Sequence, residues 1–156
     1  MNPLETILLR LENYFGDQRW WPAESNFEVM VGAILTQNTS WNNVEIAIRS
    51  LKNVAALDVE SIYNMPLLEL QKLIHSSGFY RLKARRIKTL TATLMEKFDG
   101  KVDGLKSLSF SRARSLLLQI KGIGPETADC MLLYALDKPA FVIDSYTKRL
   151  FQRIGI

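Results

Sequence analysis

The sequence predicts an all-α protein, a bundle of about eight helices joined by short loops. Three observations predict it. Apolar residues recur at three- and four-residue spacing almost throughout. No alternating pattern runs longer than a few residues, and Phe141, Val142 and Ile143 are too short a run to argue for a sheet. Capping residues and glycine stops separate the periodic segments.

Asn2 and Pro3 open the first helix, a capping side chain followed by proline at the first helical position. Leu4, Ile7, Leu8, Leu11 and Phe15 share one face, and Gly16 is its stop. Arg19, Trp20, Trp21 and Pro22 form an aromatic loop. Ser25 and Glu28 have capping-box spacing, and Phe27, Met30, Val31, Ile34 and Leu35 make the buried face that follows. That helix runs out in the polar run Thr36, Gln37, Asn38, Thr39. Ser40 caps the next, with Val44, Ala47, Ile48 and Leu51 inward.

Asp58 starts a short helix to about Asn64, and Pro66 lies near the start of another, broken at Ser76, Ser77 and Gly78. A longer helix after Phe79 and Tyr80 buries Ile87, Leu90, Leu94 and Phe98, and Asp99 and Gly100 end it. Arg81, Lys83, Arg85, Arg86 and Lys88 read as its solvated face, with some facing phosphate. A loop around Gly104 follows, and then Ser111 caps a helix with Leu116, Leu117 and Ile120 inward. The last helix begins after Asp144 and holds Tyr146, Leu150, Phe151 and Ile154.

The 156 residues are enough for one domain or a compact pair of lobes with a real core. No apolar run approaches the roughly 18 residues of a membrane span. No secretory signal opens the chain. The single cysteine, Cys130, forms no internal disulfide and rules out a cysteine-ligated metal cluster made from this chain alone. These features predict a cytoplasmic protein with no metal site and no membrane partner. A net charge of +4 is compatible with nucleic acid without deciding for it.

The chemistry concentrates between Ile120 and Asp144. In Gly122-Ile123-Gly124 the glycines permit positive φ and close approach of a ligand, while Ile123 can plug into the core. A helix N-terminus reached through glycines is an anion site, phosphate above all, and Lys121 adds charge. The same turn also suits a tight αα-hairpin with no ligand. Asp144, delivered by a short apolar run, suits a plain N-cap of the helix that follows. His75 and Cys130 read as packing residues.

Leu117, Ile120, Lys121, Gly122, Ile123, Gly124, Thr127 and Ala128, in that spacing, resemble the helix-hairpin-helix of DNA repair glycosylases related to endonuclease III. The segment Val142 to Arg149, the run Gly32 to Thr39, and the set Gly78, Phe79, Tyr80, Lys83 and Ala84 resemble that family's other landmarks. They occur in the family's order and cover about residues 20 to 156. The resemblance implies a base-excision enzyme that flips a damaged nucleotide out of double-stranded DNA. Lys121, Gly122, Ile123, Gly124, Glu126 and Thr127 would grip the backbone. Asp144 would stabilise the positive charge growing on the sugar. Gln37 would fill the gap left by the flipped base. The same run at Gln37 also reads as a helix-capping loop.

One position departs from the endonuclease III pattern. Members that also cut the strand carry a lysine two residues after the second hairpin glycine, and this chain has Glu126. That predicts a monofunctional glycosylase. Trp20, Trp21, Trp41 and Glu126 in the hairpin resemble the 3-methyladenine DNA glycosylase branch, which implies an aromatic pocket for alkylated purines. Each tryptophan alone suits a core or interface role better, and only the set points to a pocket. On the resemblance, residues 1–20 are the N-terminal helix of an incomplete second lobe. Residues 21–143 are a helical domain with the hairpin at about 111–136, and 144–156 begin a C-terminal helical region. A shortened form of a longer enzyme is expected, as a monomer or as a dimer through the first helix. No cofactor is assigned to this chain, and a 4Fe-4S cluster in a further C-terminal segment stays open. A non-catalytic DNA-binding module, an inactive fragment and a protein-interaction scaffold are the alternatives.

Overall fold

The structure, a computed structural model, describes residues 2–17 and 20–155. Arg19 of the aromatic loop and the last residue of the 144–156 region lie outside the described residues. Among the described residues there are ten α-helices and no strand. They are α1 (Pro3–Phe15), α2 (Asn26–Leu35), α3 (Trp41–Asn53), α4 (Val59–Asn64) and α5 (Leu67–Leu73). A 3-10 turn, His75–Ser77, leads to α6 (Tyr80–Phe98), α7 (Val102–Lys106), α8 (Phe110–Gln119), α9 (Pro125–Tyr134) and α10 (Ser145–Ile154). No helix among the described residues is long and apolar enough to cross a membrane.

The caps fall close to where local chemistry puts them. Asn2 accepts from Leu4 N–H while Glu5 reaches back to the Asn2 N–H, a complete capping box. Ser25 caps Glu28 N–H at 3.1 Å, but the Glu28 carboxylate returns to Glu24 N–H. Ser40 stands at the N-cap of α3, but its side chain makes no capping bond. Two elements also differ from expectation. Ser109, not Ser111, caps α8. The loop around Gly104 is the short helix α7, because Gly104 is there for packing: a Cβ would lie 2.6 Å from Phe98 Cδ1.

The core is built around α2, which buries nine of its ten residues and packs on α3, α6 and α9. It is apolar on all sides, as a helix surrounded by others must be, and not one-faced. Glu28 is buried within it and is satisfied by Lys52 at 3.0 Å. The 19-residue α6 packs against α2, α4, α5 and α7.

The basic face of α6 is only partly solvated. Lys83 is 1% exposed and donates to Leu35 O at 2.7 Å and Ser77 O at 2.6 Å. Lys88 donates to Ile62 O and Met65 O at the end of α4. Helix ends leave carbonyls without intrahelical partners, and these ammonium groups supply the donors. By contrast α1 and α10 bury no residue, and Leu8, Tyr14, Phe15, Phe141 and Tyr146 are exposed.

Candidate active site and nucleic-acid interface

The hairpin joins α8 to α9. Ile120 leaves α8 in extended conformation, and Gly122 takes φ +95°. Ile123 is buried, and its N–H is used by Ile120 O at 3.0 Å, so this residue anchors the turn. Gly124 is the N-cap of α9 and brings no capping side chain, and Pro125 brings no N–H. Among the described residues no acceptor takes the N–H groups of Gly124, Glu126 and Thr127. The α9 N-terminus is therefore open to an anion, with Lys121 exposed beside it. Arg114 clamps the two arms by donating to both oxygens of Asp129, at 2.7 and 3.2 Å.

Gln37, at the end of α2, is docked onto this turn. Its Nε2 donates to Thr127 Oγ1 at 2.9 Å and to Gly122 O at 3.3 Å, and its Oε1 accepts from Arg86. Arg86 lies against Gly122, where a Cβ would fall 2.3 Å from its Nε. Gly122→Ala is accordingly expected to cost about 1–3 kcal/mol, from the positive φ and from displacing Arg86. A shift in denaturation midpoint would measure it.

Asp144 caps α10. Its Oδ1 accepts from Thr147 N–H at 2.7 Å and from Thr147 Oγ1 at 2.8 Å, while Oδ2 meets no donor among the described residues. One oxygen is fixed and the other is free for a ligand. Glu126, Cys130 and Tyr134 recur every four residues on one stripe of α9. Burial, with the charges of Glu126, Asp144 and Asp129, pushes the Cys130 thiol up to about 11. A thiol so held is no nucleophile at neutral pH. Burial also raises Tyr134, with Cys130 and Asp144 adding to it. The hairpin acid, the stripe and Asp144 thus share one electrostatic neighbourhood.

The aromatic residues continue the stripe. Tyr134 lies 5.5 Å from Trp21, and Trp21 meets Trp41 edge to face at 5.7 Å. Gly32 makes room for the Trp21 indole, 3.0 Å from a Cβ built there. A cavity of about 240 Å³ opens between Trp21, Trp41, Glu28 and Arg49. Trp20 is 70% exposed and takes no part in that cluster. Sequence reading brought Gln37, the hairpin, Trp21, Trp41 and Asp144 forward, but not Arg86 as a partner of Gln37, nor Tyr134. Tyr134 had a signal in its four-residue spacing from Glu126 and Cys130. Arg86 had none.

Residues 31–156 match the family of HhH-GPD superfamily base excision DNA repair proteins. The chain belongs to this superfamily. It is 49% identical, over 94% of its length, to a Methanocaldococcus jannaschii protein provisionally named a DNA repair glycosylase. It is 34% identical, over 83% of its length, to endonuclease III of Thermotoga maritima. It spans 67% and 56% of those two relatives. A solved structure of H. pylori 3-methyladenine DNA glycosylase bound to 1,N6-ethenoadenine resembles it with a TM-score of 0.83 at 30% identity. That match covers 98% of this chain and 72% of that one. The matched span contains both the hairpin and Asp144.

Proposed function

We propose that this HhH-GPD chain carries the base-excising centre of a monofunctional DNA glycosylase that removes an alkylated purine from double-stranded DNA. The observation that carries the reading is the pairing of Asp144, with its free Oδ2, and Glu126 at the hairpin position where a lyase needs an amine. The open N–H groups of Gly124, Glu126 and Thr127 bind backbone phosphate without reading sequence. The flipped base enters on the side of Trp21 and Trp41. A cationic alkylated base gains about 0.5–2 kcal/mol from each such face.

As the glycosidic C–N bond breaks, its electron pair leaves with the base, and a cationic base departs neutral. Positive charge grows on the sugar carbon. The Asp144 carboxylate stabilises it and takes a proton from the attacking water, whose oxygen forms the new bond to that carbon. No amine attacks the sugar, so no Schiff base forms and the strand stays intact.

The test uses the full-length protein on methylated, oxidised-pyrimidine and mismatched duplexes, with borohydride added in parallel. Base release from methylated DNA with no trapped adduct is the expected result. A covalent borohydride adduct would sink the monofunctional assignment, and release only from oxidised pyrimidines would sink the substrate.

A further inference from the structure

Arg86 stands out once the hairpin is accounted for. Among the described residues no carboxylate pairs with its guanidinium, and its Nε is buried without an acceptor. The contact it does make is across 49 positions of sequence, to Gln37 Oε1. Its stem fills the space beside Gly122. Gln37 in turn spans from Arg86 to Gly122 O and Thr127 Oγ1. Three separate elements, the end of α2, the middle of α6 and the start of α9, meet through two side chains.

We propose that Arg86 is a positioning residue, which fixes the Gln37 amide against the hairpin and so couples the DNA-facing end of α2 to the phosphate-binding turn. A guanidinium only donates, so it takes the carbonyl end of the amide. The NH2 end is then directed to the two acceptors on the hairpin. The end of α2 and the N-terminus of α9 cannot shift independently while both contacts hold. Its consequence for catalysis rests on the glycosylase reading: two groups offered to one duplex are kept in register, which is where positioning contributes to rate.

Arg86→Met keeps the stem beside Gly122 and removes the donors. In the full-length protein, amide hydrogen exchange at Ile123 and Ala128, whose N–H groups are bonded to Ile120 O and Gly124 O, is expected to quicken about tenfold. Single-turnover base release should fall about tenfold, with the salt dependence of DNA binding unchanged. Gln37→Met should act in the same direction, and the double variant should be no worse than the worse single one. Fully additive effects overturn the coupling. A salt slope shallower by about one ion makes Arg86 a phosphate ligand and also overturns it. Should wild-type protein release no base from any duplex, the glycosylase reading falls, while the exchange rates still decide the coupling.

Discussion

Asp144→Asn is expected to slow base release by about 10²–10³-fold, the size of effect that follows loss of one preorganised electrostatic group, while the protein folds as before. On the proposed reading the two consequences separate, because capping and catalysis use different oxygens of Asp144. Oδ1 caps α10 through Thr147 N–H and Thr147 Oγ1. Asparagine caps helices about as well as aspartate, so its amide oxygen can keep those bonds. What it cannot keep is the negative charge that, on the proposed mechanism, Oδ2 offers to the sugar. Thermal midpoint and affinity for intact methylated duplex should therefore stay near the wild-type values while single-turnover excision falls. An Asp144→Asn protein that still releases base at the wild-type rate overturns the catalytic role given to Asp144, and a wild-type protein that binds duplex but releases no base leaves only the non-catalytic DNA-binding module. A second control is Thr147→Val, which removes the hydroxyl donor to Oδ1 and leaves the charge. It should cost far less in rate than losing the carboxylate.

Much of this centre was legible because its parts are local. Gly122, Ile123, Gly124 and Pro125 encode the turn and the uncapped helix start within four residues, and Asp144 lies three residues before the Thr147 it caps. Helix positions were legible for the same reason, since caps such as Asn2 and Asp58 act within one turn. The errors come from contacts that span the fold. Lys83 reads as a solvated charge beside Arg81 and Arg85. Only the packed structure shows that the end of α2, 48 positions away, needs its donor. Gly104 reads as a loop signal because a glycine needed for turning and a glycine needed for packing look alike. Its neighbour Phe98 makes it the second kind. For Gln37 the sequence leaves a wedge and a capping loop both open, and nothing within several positions of it announces that it bonds Arg86 and Thr127.

Lys83→Met should destabilise the fold by about 2–4 kcal/mol at neutral pH, and the deficit should widen as the solution becomes alkaline. Methionine fills nearly the same volume, so packing changes little. The loss is of donors: Leu35 O and Ser77 O are left unpaired inside the protein, each at a cost of about 1–3 kcal/mol. Removing a buried ammonium returns part of that cost. The pH dependence follows from the lysine itself. Burial, together with the nearby Arg86 charge, lowers its pKa to about 8 from 10.5. Between those values the unfolded chain holds the proton and the folded chain has released it, so wild-type stability rises with pH across that window. A neutral amine still carries two N–H groups, enough for both carbonyls. The variant has no such group and gains nothing. Lys88 is lowered as well, and its contribution cancels when the two proteins are compared at each pH. Urea denaturation of wild type and variant at pH 7, 8, 9 and 10 would measure the difference. A gap that narrows toward pH 10 would mean the ammonium, and not the amine, is the form the fold prefers at Lys83.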